Sequence, residues 1–208
     1  KIMRTWNEEG TGMTLKKLRS RIQLSFDEYV DVWQKLLNEF YHRSMCDKKL
    51  FDLLVLPDEM YARFSIELAT VILIIAMCKW NEKNMPKRTK HSVMDTVVLS
   101  FYKQLIPDAP EDTIKKCVDI FNSKFKVFSE IFKCIDEKNK EKHKTKLIGF
   151  ARYLTAQVSP DDEKNNPELI EYLSILLFEA ESAFSKLVKN SSQDAIGIPG
   201  KPRFIIQK

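Results

Sequence analysis

One run sets the hydrophobic pattern of the chain. Residues 68–78 read LATVILIIAMC, with no charge and Thr70 as the sole polar side chain. A helix that is apolar on every side has to be covered on every side. Arg63 and Glu67 before the run and Lys79 after it leave it short of the ~20 apolar residues a bilayer span needs. The run therefore predicts a buried central helix and no transmembrane segment. Pro57 opens that helix, which continues through Met60, Tyr61 and Phe64 to Trp80.

The flanking segments carry apolar stripes at helical spacing. Phe26, Tyr29, Val30, Trp33, Leu36, Leu37, Phe40 and Tyr41 predict a helix to about Arg43, with Ser25 and Glu28 placed for a capping box. Upstream, Leu15, Leu18 and Ile22 alternate with Lys16, Lys17, Arg19 and Arg21, which predicts a short basic amphipathic helix over 13–24. Leu50, Phe51, Leu53 and Leu54 give a short helix or turn within 47–56. Residues 81–90 read as the exit loop of the central helix. Ser92 and Asp95 are then placed to cap a helix striped by Val93, Val97, Val98, Phe101, Leu105 and Ile106, ended by Pro107.

Pro110, Glu111 and Asp112 open the next helix with an acidic first turn that suits its dipole. Its seam is aromatic, running from Ile114, Cys117 and Val118 through Phe121, Phe125, Phe128 and Phe132 to Ile135. A charged stretch over 136–146 has no apolar residue. Leu147, Ile148, Phe150, Ala151, Tyr153 and Leu154 form a shorter helix, and 159–166 a loop. Pro167 opens the last stripe, Leu169, Ile170, Leu173, Leu176, Leu177, Ala180, Phe184, Leu187 and Val188, which ends near Asn190.

Glycine usage narrows the fold class. Four of the five glycines lie in the two ends of the chain, leaving Gly149 in the body. Strand-rich and doubly wound folds depend on glycine at hairpins and phosphate loops. The expected fold is therefore all-α, an irregular bundle of about six to eight helices around the central one. An N-terminal arm over 1–14 and an extended tail over 191–208 flank a single helical domain over 15–190. Neither helix lengths nor proline spacings recur, which argues against a solenoid.

Recognisable chemistry is sparse. Glu39 and His42 make one Glu-x-x-His pair where a helical di-iron site needs two, and the cysteines and histidines lack zinc spacing. No glycine-rich phosphate loop and no GxSxG elbow occur. Asp161, Asp162 and Glu163 resemble half of an aspartate-rich magnesium motif, but they follow Pro160 and read as a helix-entry loop. No catalytic residue, metal ligand or cofactor is assigned. Cys46, Cys78, Cys117 and Cys134 have no CxxC pair and mostly sit at apolar positions, which fits a reducing compartment. With no basic-then-apolar leader, the chain is expected to be intracellular, cytoplasmic or nuclear.

Charge carries what functional signal there is. The net charge is +5, from 34 basic and 29 acidic residues. Two basic loops stand out: 79–91, with Lys83, Lys87, Arg88 and Lys90, and 138–146, with Lys138, Lys140, Lys142, Lys144 and Lys146. Such side chains bind phosphate backbones. In the tail, Gly197, Pro199, Gly200 and Pro202 forbid a helix, and Phe204, Ile205 and Ile206 require burial, either on their own body or on a second chain. The sequence favours a non-catalytic interaction, regulatory or scaffold module with a protein partner or self-association. RNA or DNA binding through the two basic loops comes second, and an enzyme built from scattered residues third.

Overall fold

A computed structural model of the chain describes residues 21–54, 56–133, 140–158, 166–194 and 202–207, and within them seven α-helices and three short strands. α1 (Phe26–Met45) begins with the capping box its sequence announces. The Ser25 Oγ accepts from the Glu28 amide at 3.2 Å, and the Glu28 carboxylate accepts from the Ser25 amide at 2.8 Å. α2 (Lys48–Leu54) is short, with Asp47 accepting from the Leu50 amide. Pro57 then stands at the N-cap of α3 (Asp58–Glu82).

α3 is the enclosed helix. Every residue over 68–80 is buried, and α1, α4 (Lys87–Leu105), α5 (Glu111–Lys133), α6 (Lys140–Val158) and α7 (Pro167–Asn190) all pack on it. Met60–Glu82 is long and apolar enough to cross a membrane by length and composition, yet its faces are taken up by these neighbours. Thr70, the polar residue in the run, donates to the Ile66 carbonyl at 2.8 Å and lies 2.9 Å from the Tyr102 hydroxyl. Its burial therefore leaves no unmet hydrogen bond.

Contacts along the helices fix their directions. Tyr29 meets Trp80 at one end of α1 and α3, while the Tyr41 hydroxyl meets Ser65 lower down, so these two run antiparallel. α7 follows α3: Asn166 reaches the Leu53 carbonyl, Phe184 stacks on Trp33, and Lys79 meets Glu181. α6 returns against α3, with Tyr153 on Glu67 and Arg63 on Gln157. One end of the bundle therefore gathers the start of α1, the finish of α3, the start of α4, the start of α6 and the finish of α7.

A small sheet closes that same end. β1 (Arg21–Leu24) and β2 (Ser191–Asp194) pair antiparallel with either side of β3 (Arg203–Gln207). Leu24 and Gln193 both oppose Phe204. Phe204 is fully buried, stacked on Tyr29 with ring centroids 4.0 Å apart and flanked by Phe26 and Trp80. Ile205 and Ile206 are half-buried.

Several boundaries differ from those the sequence predicts. Residues 21–24 are a strand rather than helix: Ile22 and Leu24 alternate with Arg21 and Gln23, a period-two pattern, and β3 offers them an edge. Residues 13–20 lie outside the described residues. α4 starts at Lys87 behind Pro86, because Thr89 is buried in line with Val93 and Val97 and the Trp80 indole donates to the Lys90 carbonyl. The exit loop shrinks to 83–86. α6 starts at Lys140, well before Leu147, since lysine and glutamate extend a helix readily.

The Phe204 contacts predict the cost of losing them. Phe204→Ala should lower the unfolding free energy by about 3–5 kcal/mol in urea denaturation. A loss below about 1 kcal/mol would mean that β3 is an appendage.

Candidate functional site

Besides the exposed pairs Arg43–Glu179 and Lys49–Glu168, two more deeply buried sets of charged side chains tie helices together among the described residues. On the α5–α6 side the Lys124 Nζ lies 2.6 Å from a Glu67 carboxylate oxygen that also accepts from the Tyr153 hydroxyl at 3.0 Å. Burial pushes the Lys124 ammonium down, but the Glu67 hydrogen bond and charge outweigh it and hold the pKa above the usual lysine value. The second set lies where α3 ends beside α7. Lys79 Nζ sits 2.9 Å from Glu82 Oε1 and 2.9 Å from Glu181 Oε1, with Lys79 only 7% and Glu181 2% exposed. Here too burial opposes the charge, and the two carboxylates reverse it, leaving Lys79 with a raised pKa. A lysine held as ammonium is an anchor and not a nucleophile.

Lys79, Glu82 and Glu181 form the inner wall of a cleft of about 900 Å³. Leu147 of α6 and Val188 of α7 add apolar surface, and Ser174, Ser182 and Ser185 add hydroxyls. On its outer side Ile175 and Phe178, one turn apart on α7, remain 49% and 52% exposed. These two half-exposed apolar side chains thus share one concave surface. Lys186 and Lys189 stand on the same wall toward the end of α7.

Most of the basic residues singled out in the sequence lie on segments at this end of the bundle. Lys83 lies in the α3–α4 turn, where burial lowers the pKa of its half-buried ammonium. Lys87 and Arg88 are exposed in the first turn of α4. Lys90 turns inward, its Nζ donating to the Asn81 carbonyl at 2.7 Å, and serves to close the turn. Lys140, Lys142, Lys144 and Lys146 belong to the opening turns of α6 rather than to a loop, and Lys138 falls outside the described residues. Leu147, which follows directly, lines the cleft with Lys79 and Lys189, so both clusters belong to one end of the bundle.

Other sequence candidates go elsewhere. Phe204, Ile205 and Ile206 lie in β3, with Phe204 committed to the core of its own chain. Glu39 and His42 are both exposed on α1. No group of three or more metal-ligating side chains occurs among the described residues. Sequence reading missed Ile175, Phe178, Lys186 and Lys189. Ile175 and Phe178 break the α7 stripe on its polar side, a signal that was present but hidden by the longer run of core positions.

Comparison with protein-family models, curated proteins and solved structures finds no match to this chain.

The buried pair can be tested by a double-mutant cycle. Lys79→Met alone should destabilise the fold by about 3–5 kcal/mol, because it strands the Glu181 carboxylate. Adding Glu181→Leu should recover most of that loss in urea denaturation. Additive losses from the two changes would show that the pair is uncoupled.

Proposed function

We propose that this chain is a non-catalytic helical docking module whose cleft beside α7 receives a segment of a partner protein. The observation that carries this reading is the half-exposed pair Ile175 and Phe178 on the wall of a cleft of about 900 Å³. Apolar surface left open in a concave, preformed site gains free energy when a partner covers it, at roughly 25 cal/mol per Å² before ordering costs. The charges inside the cleft support the same reading. Lys79 holds both Glu82 and Glu181, which fixes the inner wall and occupies its charges with one another's neutralisation rather than with a substrate.

Nucleic-acid binding is the second reading, favoured by the gathering of Lys83, Lys87 and Arg88 with the lysines of α6 at one end. It ranks lower because phosphate contacts would leave Ile175 and Phe178 without a role.

Phe178→Ser tests the docking reading. At this half-exposed position the change should cost no more than about 1 kcal/mol. With parent and variant as affinity baits, proteins retained reproducibly by the parent should be missing from the variant. Identical retention by two equally stable proteins would contradict the reading.

A further inference from the structure

We infer that β3 is a releasable strap: it leaves the sheet as a unit while the helices stay packed, and the groove it uncovers takes an extended protein segment of the same pattern, an aromatic side chain followed by two β-branched ones. The inference is independent of the cleft beside α7 and of the docking reading.

Topology is the first support. The sheet order is β1-β3-β2, so the last strand in the chain lies in the middle. Among the described residues β1 and β2 pair with β3 and not with each other. On one side Arg21 opposes Gln207 and Leu24 opposes Phe204; on the other Ser191 opposes Ile206 and Asp194 opposes Arg203. Removing β3 therefore breaks both ladders at once, and strands of four residues do not persist unpaired.

Attachment is the second support. β3 is held to the helices chiefly by one side chain: Phe204 is fully buried, whereas Arg203 is exposed and Ile205, Ile206 and Gln207 are half-buried. α3, by contrast, is buried at every residue over 68–80 and cannot open without parting the helices packed on it. The cost of a local opening follows the apolar contacts and hydrogen bonds given up, so a strand with one deep anchor opens well before an enclosed helix.

The groove outlasts β3 because its floor belongs to the helices. Phe204 stacks on Tyr29 with ring centroids 4.0 Å apart and also meets Trp80 and Phe26. Tyr29, Trp33 and Trp80 brace one another without it. Their centroids lie 5.8 Å apart for Tyr29–Trp80 and Trp33–Trp80, and 6.4 Å apart for Tyr29–Trp33. An incoming aromatic side chain thus meets a preformed set of rings, and β1 and β2 re-form on the backbone that carries it. This is recognition by strand addition, with one pocket setting the preference.

Hydrogen exchange on the intact chain tests the strap. The amides that pair across β1, β2 and β3 should share one protection factor within about threefold, at least about a hundredfold below that of amides 68–80. Phe204→Ser should lower both sets, because the closed form loses the contact. The gap between them should persist, since neither the open-strap form nor the unfolded chain contains that contact. Sheet amides as protected as 68–80 would overturn the inference. So would β1 amides that stay protected in a Phe204→Ser chain whose β3 amides are open, or a Phe204→Ser chain unprotected at 68–80.

A labelled peptide of residues 202–208 tests the groove by fluorescence anisotropy. The tethered strap competes with it at an effective concentration on the order of mM, so the parent should bind the peptide at least about tenfold more weakly than Phe204→Ser does. A peptide with serine in place of the phenylalanine should bind neither chain. No binding to Phe204→Ser at about 1 mM peptide would show that the groove closes once the strap is gone. Equal binding to both chains would place the peptide outside the groove. Either result overturns the inference.

Discussion

The fold depends on covering α3 from all sides. A helix with an apolar stripe needs one neighbour or two; α3, apolar around its circumference over 68–78, needs a complete shell. Five helices supply it, and their own stripes are one-sided, which is why their outer faces remain charged. The sheet follows from the same requirement. Where α3 finishes, Trp80 packs on Tyr29 and Trp33 of α1 and on Phe204 of β3, which also contacts Phe26. β3 can deliver Phe204 there because two neighbouring strands pair with its backbone.

That shell also determines which side chains α7 leaves exposed. α7 buries Leu173, Leu177, Ala180 and Phe184 in the bundle, Phe184 on Trp33 and Phe40 of α1, while Ile175 and Phe178 remain about half exposed. The Lys79–Glu181 pair sits at the seam between α3 and α7. There it satisfies the first charge after the apolar run, which would otherwise be buried alone. The cleft thus opens beside α7 where the central helix ceases to be uniformly apolar, with Lys79, Lys186 and Lys189 among its lining.

Much of the architecture was legible in the sequence because helical periodicity is a strong local signal. The enclosed helix, the Ser25 capping box and the proline starts of α3 and α7 could all be read from short windows. The strands could not, since pairing between residues 21–24 and 203–207 is a contact across nearly the whole chain. Period-two alternation over four residues is indistinguishable there from part of a helical stripe. The site was half legible. Its lysines were visible as clusters, but their arrival at one end depends on helix directions, and Phe178, outside the core stripe of α7, carries no local signal that it lines a cleft.

The account rests on α3 being the last element to open, and amide hydrogen exchange tests that directly. Amides over 68–80 should exchange only through global unfolding, with an opening free energy equal to that from urea denaturation. If those amides exchange several kcal/mol more easily while α1 and α7 stay protected, the bundle is not organised around α3 and the account is wrong.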